Sequence, residues 1–218
     1  IFVQNGYSIN FTSNLKKLEL AYSNAEFILS YSSDITECIK LNFPKLQTEI
    51  IKIKYSIVSK AINKKVRKKN LITYMSRKLP VHSSHVVLLL KKHLPKNWTI
   101  KDLNNIDEKL VYHSLQKSKI FLAFSNLEGL PLPPVEAALA GNYVVGYTGE
   151  GGKDYWKKPI FTEIYSGDIR NFVKKTLEKI SKYNSKSNIM RRQYYRLSKE
   201  FSKQNEILHI KKFLKKTL

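Results

Sequence analysis

The stretch from Ile120 to Gly152 leaves the chain few folds to choose from. Ile120 to Phe124 is an uninterrupted apolar run, short enough for a strand buried on both faces. A polar turn follows at Ser125-Asn126-Leu127. Two glutamates come next, Glu128 and Glu136, with Pro131, Pro133 and Pro134 between them. Proline is tolerated in the first turn of a helix and breaks its middle. The spacing therefore predicts a loop from Ser125 to about Pro133, a helix from Pro134 to Ala140 and a stop at Gly141. Asn142 to Tyr147 is a second short apolar strand, and Gly149-Glu150-Gly151-Gly152 reads as a flexible loop after it. Strand, loop, helix, strand and loop make one unit of a parallel α/β sheet. Both loops then lie at the carboxyl ends of the strands, the edge at which such sheets bind ligands.

The glutamates suggest which ligand. Glu128 falls in the loop, and Glu136 falls in the predicted first helical turn, where the helix dipole favours a carboxylate. A carboxylate accepts two hydroxyls at once, so a pair of them can grip a polyol at two points. Holding a ribose or a hexose requires that. Two glutamates at this spacing are by themselves common as solvated charges; the residues around them set this pair apart. The stretch resembles the donor-domain motif E-G-F-G-L-P-x-x-E of the retaining nucleotide-sugar glycosyltransferases, which are built from two Rossmann-like domains (the GT-B fold). Glu128, Gly129, Leu132, Pro133 and Glu136 match it, while Leu130 and Pro131 stand where the family has Phe and Gly. Proline cannot take the positive φ that glycine allows, so the sugar-side loop must differ locally.

The resemblance implies an α/β fold: a Rossmann-like parallel sheet flanked by helices, with further helices at the carboxyl terminus. It implies that Glu136 holds the nucleotide ribose and that Glu128, the candidate catalytic residue, contacts the transferred sugar. A basic pair after the first strand of the donor domain, here Arg77 and Lys78, would meet the diphosphate. Ser125, Gly129 and the Gly149, Glu150, Gly151 and Gly152 backbone would complete the donor site, the glycine-rich amides acting as an anion nest. The nucleotide-diphosphate sugar is then a substrate, and no cofactor or metal is expected. The lack of an Asp-x-Asp motif agrees with a metal-independent site.

The rest of the chain can be read in the same terms. Ile1 to Gln4, Phe27 to Ser30 and Glu49 to Tyr55 read as strands. Between them lie helices from Asn14 to Ala25, capped by Ser13, and from Ser32 or Ser33 to Asn42, with Glu37 near a capping-box position. This β-α-β-α-β run has too few strands for a full doubly wound domain. The resemblance implies that residues 1–57 are the end of an acceptor domain, and the chain is expected to be part of a longer protein. Val58 to Asn70 is basic and is expected to be a solvated linker. Residues 71–185 form the expected donor domain. It has strands at Leu71–Tyr74, Trp98–Leu103 and Pro159–Ile164 beside the central pair, and helices at Pro80–Leu94, Asp107–Lys117 and Asp168–Tyr183. A short helix is expected to start at Lys153. Residues 186–218 read as two helices with Tyr194, Tyr195, Leu197 and Phe201 in the core, and the resemblance implies that they pack back toward the first domain.

Composition bounds the alternatives. The 218 residues are 42% hydrophobic, which is enough for a core. A single cysteine, Cys38, excludes a disulfide within the chain and suits a reducing cytoplasm, where it reads as a small buried hydrophobe. The longest aliphatic run, Val86 to Leu90, is far too short to span a bilayer. His82 and His85 lack metal-ligating neighbours in sequence and read as ordinary histidines. The formal charge of +22 is uneven: residues 50–101 hold fourteen Lys or Arg and no acid. That favours a polyanionic partner. A second reading is therefore a basic α/β module for nucleic acid or an anionic membrane. The longest basic stretches, Asn63–Asn70 and Lys91–Lys96, contain no aromatic residue, which argues against nucleic acid. Peripheral contact with the inner membrane face, reaching a glycan or lipid-linked acceptor for polysaccharide synthesis, is compatible with the enzyme.

Overall fold

A computed structural model describes residues 1–57, 66–183 and 188–217, with side chains from 191 onward in the last stretch. The chain builds two parallel sheets. The first holds β1 (Phe2–Val3), β2 (Ile28–Ser30) and β3 (Ile50–Lys52) in the order β1-β2-β3. Helices α1 (Leu15–Ser23) and α2 (Ser33–Asn42) join them. Ile28, Ile35 and Ile39 are fully buried in the core between α2 and this sheet.

Local hydrogen bonds set the helix starts. Asn14, not Ser13, caps α1: its side chain accepts from the Lys17 amide at 2.8 Å. Ser32 caps α2 through the Ile35 amide at 3.2 Å. Glu37 completes no capping box and instead reaches Lys40 at 3.8 Å on the surface. A 3-10 helix over Gly6–Phe11 has no counterpart in the sequence reading; Asn5 starts it by accepting from the Tyr7 amide.

The second sheet holds β4 (Leu71–Tyr74), β5 (Thr99–Asp102), β6 (Ile120–Glu128), β7 (Tyr143–Glu150) and β8 (Phe161–Glu163). Its order is β5-β4-β6-β7-β8, parallel throughout. Helices α3 (Pro80–His93), α4 (Glu108–Lys117), α5 (Leu132–Leu139) and α6 (Ile169–Ser181) cover it. Alternate residues of β6 serve opposite faces. Phe121 and Ala123 pack with Leu115, Val135, Ala138 and Phe161. Ile120, Leu122 and Phe124 pack with Val86, Leu90 and Phe172. Near-continuous apolar runs follow from burial on both sides.

Helices α7 (Asn188–Glu200) and α8 (Lys203–Thr217) end the chain. Leu197 and Phe201 join the core of the second sheet, with Tyr194 packed against it. Tyr195 does not join the core: it is 59% exposed, with the Lys199 ammonium 4.6 Å from its ring centre. The same helices touch the first unit. Lys54 pairs with Glu200 at 2.6 Å, Ser56 donates to Glu206 at 2.8 Å, and Phe27 meets Phe213 edge to face.

Two expectations near the linker change. Residues 58–65 lie outside the described residues, so most of the expected linker does too. Lys68, expected to be solvated, is tucked against two helix ends. Its Nζ donates to the Leu115 carbonyl at 3.2 Å and the Ala140 carbonyl at 2.6 Å. Burial pushes its ammonium down to about 7, while the carboxyl ends of α4 and α5 favour the cation.

The two units meet backbone to backbone. A Cβ on Gly129 would lie 2.4 Å from the Gln4 carbonyl oxygen and 2.7 Å from Ile35 Cδ1. Asn5 donates to the Leu127 carbonyl at 3.1 Å. Asp154 accepts from the Ser33 amide at 2.9 Å and from Lys52 at 3.2 Å. Burial works against that carboxylate, but the Ser33 amide and the Lys52 ammonium outweigh it and hold Asp154 below its ordinary value. Gly129→Ala is expected to lower unfolding stability by about 1–3 kcal/mol through overpacking. Urea denaturation checks this, and an unchanged midpoint would show that the approach is not tight.

Candidate functional site

Chain order reverses inside the second sheet. From β4 the chain steps outward to β5, then returns to place β6 on the other side of β4. The gap beyond the carboxyl ends of β4 and β6 is thus a topological switch point, where open α/β sheets bind ligands. Two of the expected residues flank it. Lys78 follows β4, Glu128 ends β6, and Lys78 Nζ lies 3.7 Å from Glu128 Oε2. The pair is loose and partly solvated, and such a pair contributes only ~0–1 kcal/mol. An anionic ligand can therefore draw Lys78 away at little cost. The pair opens on a cleft of about 280 Å³. Gly129, Leu130 and Leu132 continue its floor, and Gln4, Asn5, Tyr31 and Tyr55 of the first unit form the facing wall.

Not every expected site residue reaches this cleft. Arg77, the residue before Lys78, is exposed, does not line the cleft and makes no ion pair among the described residues. Ser125 is buried in β6 opposite Thr148. The expected loop over Ser125–Pro133 is shorter, because β6 resumes pairing after an irregularity and sets Glu128 opposite Glu150. Gly149, Glu150, Gly151 and Gly152 are not a flexible loop. Strand β7 runs through Glu150, and Gly151 to Asp154 form a 3-10 turn with both glycines buried. A Cβ on Gly151 would lie 1.9 Å from the Gly129 carbonyl oxygen, so that glycine serves close packing. Glu150 sits at φ 70° and ψ −65°, a tight γ-turn that is strained for any residue with a side chain. Its carboxylate holds Lys153 at 2.6 Å.

Glu136 also departs from expectation. Helix α5 begins at Leu132, because Pro133 and Pro134 both fit its first turn. Glu136 therefore sits in the second turn, and the helix dipole no longer accounts for a carboxylate there. Its side chain turns toward α4, where the Tyr112 hydroxyl donates to it at 3.5 Å. It does not line the cleft beside Glu128. Burial pushes the Glu136 carboxyl above its ordinary value, against the Tyr112 hydrogen bond, and nearby Glu108 adds to the rise. Burial, then Glu136, pushes the Tyr112 hydroxyl up to about 12. Among the described residues Glu136 is a partly buried carboxylate with one weak donor, and its remaining lone pairs are chemically able to accept hydroxyls.

Other expected features have plain roles. Tyr155 donates to the Pro131 carbonyl at 2.6 Å and pins the residue before α5. His82 Nδ1 lies 3.2 Å from the Tyr147 hydroxyl, and His85 Nδ1 lies 2.8 Å from the Val81 carbonyl. Cys38 is half-buried, with its Cβ pressed against Gly6. Among the described residues, no three His, Cys, Asp or Glu side chains gather into a metal site. No helix among them is long and apolar enough to cross a membrane. Sequence reasoning missed Gln4, Asn5, Tyr31 and Tyr55. Their positions just beyond the first three strands were the available signal.

No family model and no curated protein matches this sequence. Solved structures do match its shape. A pneumococcal O-GlcNAc transferase, GtfA, in complex with UDP and GlcNAc is similar at a TM-score of 0.69 and 15% identity, over 94% of this chain and 48% of that one. The fold is that of the GT-B glycosyltransferases. A mutant of S. aureus TarM, in complex with fondaparinux, alpha-GlcNAc-glycerol and UDP, is similar at 0.72 and 13%, over 98% and 49%. The sucrose-phosphate synthase of Thermosynechococcus elongatus is similar at 0.70 and 9%, over 99% and 67%. This chain spans about half the length of the first two. In GT-B terms its first sheet faces its second across the cleft just described.

The raised Glu136 carboxyl has a pH consequence. A carboxyl whose folded value exceeds its unfolded one costs stability as pH rises from about 4.5 through the folded value. Glu136→Gln removes that titration. The variant is expected to match the native chain near pH 4 and to exceed its melting temperature at pH 7. A variant less stable at pH 7 than at pH 4, relative to the native chain, would contradict the assignment.

Proposed function

We propose that the chain carries the donor side of a glycosyltransferase that takes a sugar from a nucleotide diphosphate. The observation that carries the reading is the Lys78–Glu128 pair at the switch point of the second sheet, on a GT-B fold. Lys78, with exposed Arg77 nearby, meets the diphosphate as a set of charge-assisted donors. Glu128 binds the hydroxyls of the transferred sugar, and Glu136, with Tyr112, receives the ribose. Gly129 lines the cleft, and Gly149 to Gly152 with Ser125 support Glu128 from behind it.

In the reaction, an acceptor hydroxyl oxygen forms a bond to the anomeric carbon while the bond from that carbon to the diphosphate oxygen breaks. The electron pair leaves with the nucleoside diphosphate, and the hydroxyl proton passes to it. Lys78 stabilises the charge that develops on this leaving group, which is the largest expected catalytic term. We infer a retaining hexosyl transfer from the motif, and a metal-independent donor site because the diphosphate charge falls to basic side chains.

The neighbours that bind UDP favour a uridine donor, and a glycan acceptor fits the GlcNAc and alpha-GlcNAc-glycerol in their complexes. Helix α8 buries none of its residues and exposes Ile207, Leu208, Ile210 and Leu214 among Lys211, Lys212, Lys215 and Lys216. That surface favours peripheral contact with an anionic cytoplasmic membrane face, where a lipid-linked acceptor of polysaccharide synthesis would be met.

Thermal shift with UDP, GDP, dTDP, ADP and their common sugars tests the reading. One series is expected to stabilise the chain, by roughly 2.7 kcal/mol at a concentration 100 times its Kd. Lys78→Ala and Glu136→Ala are expected to remove that shift. No shift with any nucleotide, alongside salt-sensitive binding to DNA or anionic liposomes, would contradict it and favour the basic binding module.

A further inference from the structure

The floor of the cleft departs from its motif at Pro131, and the packing beneath it shows what holds the altered loop. Proline has no N–H, so Pro131, Pro133 and Pro134 take three backbone donors away from the entry to α5. No side chain caps that helix by accepting from its first amides. Pro131 is nevertheless buried, and a buried carbonyl needs a hydrogen-bond partner. Tyr155 supplies it, its hydroxyl donating to the Pro131 oxygen at 2.6 Å.

The donor is itself held firmly. The Tyr155 ring is buried, with Trp156, Phe161 and Phe201 around it at centre distances of 6.0, 5.5 and 5.6 Å. Phe201 is fixed in turn, because its carbonyl accepts from the Ile57 amide at 3.0 Å. A ring packed this closely cannot swing its hydroxyl elsewhere. Gly152 leaves the hydroxyl its room: a Cβ there would lie 3.2 Å from Pro131 Cγ and 3.3 Å from the Tyr155 oxygen. Burial, and then the charge of Glu128, raises the Tyr155 hydroxyl well above its ordinary value, so it stays a neutral donor.

This bond bears on one half of the site. Leu130 and Leu132, on either side of Pro131, line the cleft, and Glu128 lies three residues before it. Lys78 stands on a different segment, after β4. Glu136 lies further along α5, which the buried Pro134, Val135, Ala137 and Ala138 seat against the sheet on their own account. We propose that Tyr155 is a positioning residue for the donor sugar: through the Pro131 carbonyl it fixes the segment from Glu128 to Leu132, and so sets affinity for the sugar while the nucleotide is held by other groups. Tyr155 lies beneath the loop and touches no substrate. The inference rests on the donor reading, because it takes Glu128 to meet the sugar and Lys78 the diphosphate.

Isothermal titration calorimetry with UDP, UDP-GlcNAc, UDP-glucose and UDP-galactose, on the native chain and on Tyr155→Phe, tests this. The phenylalanine keeps the ring and leaves the Pro131 carbonyl without its donor. Affinity for UDP is expected to stay within about twofold, while affinity for the tightest-binding UDP-sugar falls by about fivefold or more. A purely structural role would lower both affinities together or neither, so an unchanged ratio between them would overturn the proposal. Gly152→Ala crowds the same hydroxyl and is expected to move the ratio in the same direction; it decides the matter if Tyr155→Phe fails to fold. Hydrogen–deuterium exchange without ligand gives a readout that needs no donor. Tyr155→Phe is expected to speed exchange at residues 128–132 by about threefold or more and to leave residues 76–79 as they are. Equal exchange at 128–132 in the two chains would also overturn the proposal. If the native chain binds none of the four ligands, the donor reading fails and the sugar role of Tyr155 fails with it, whereas faster exchange confined to 128–132 would still identify Tyr155 as the anchor of the loop.

Discussion

The arrangement depends on one close approach. Gly129 lies where its backbone touches the Gln4 carbonyl on one side, and its own carbonyl occupies the place a Gly151 side chain would take. Neither contact tolerates a Cβ atom. Packing at this density transmits position directly. It sets the end of β6 against the ends of β1 and α2, and it aims Glu128 into the space between the sheets. Asp154, held by Ser33 and Lys52, ties the same edge a second time. The cleft is therefore a consequence of how two glycines let two backbones meet, and its lining follows from which residues happen to end the strands.

Electrostatics divide the site in a consistent way. The second sheet supplies charge: Lys78 after β4 faces Glu128 at the end of β6. The first supplies neutral aromatic and amide groups. Glu136 is a third kind of group, a carboxyl raised by burial and answered, among the described residues, by one long hydrogen bond from Tyr112. A group left under-satisfied in a folded chain is a reservoir that a ligand can relieve. Stability lost there is the expected companion of a binding role.

Much of this was legible in the sequence. The apolar runs at Ile120–Phe124 and Asn142–Tyr147 mark strands buried on both faces, and the structure places them side by side in the parallel sheet. Prolines marked the start of α5, although two of them fit its first turn and moved that start to Leu132. That small shift removed the dipole argument for Glu136. Gly149 to Gly152 were misread as flexible because glycine signals both freedom and close approach, and only the neighbours of Gly151 decide between them. Lys68 was misread as solvated because no local pattern announces that two helix ends will converge on it. Tyr31 and Tyr55 escaped notice for the same reason: their role comes from a contact between sheets, which no periodicity within either sheet records.

The central claim is that a nucleotide sugar lies between Lys78 and Glu128. Hydrogen–deuterium exchange of the chain with and without a UDP-sugar tests it most directly. Slower exchange is expected at residues 76–79 and 128–130, the two segments that flank the switch point, and little change is expected along α3 and α6. Binding without protection at either segment, or protection confined to the basic surface of α3 or α8, would contradict it.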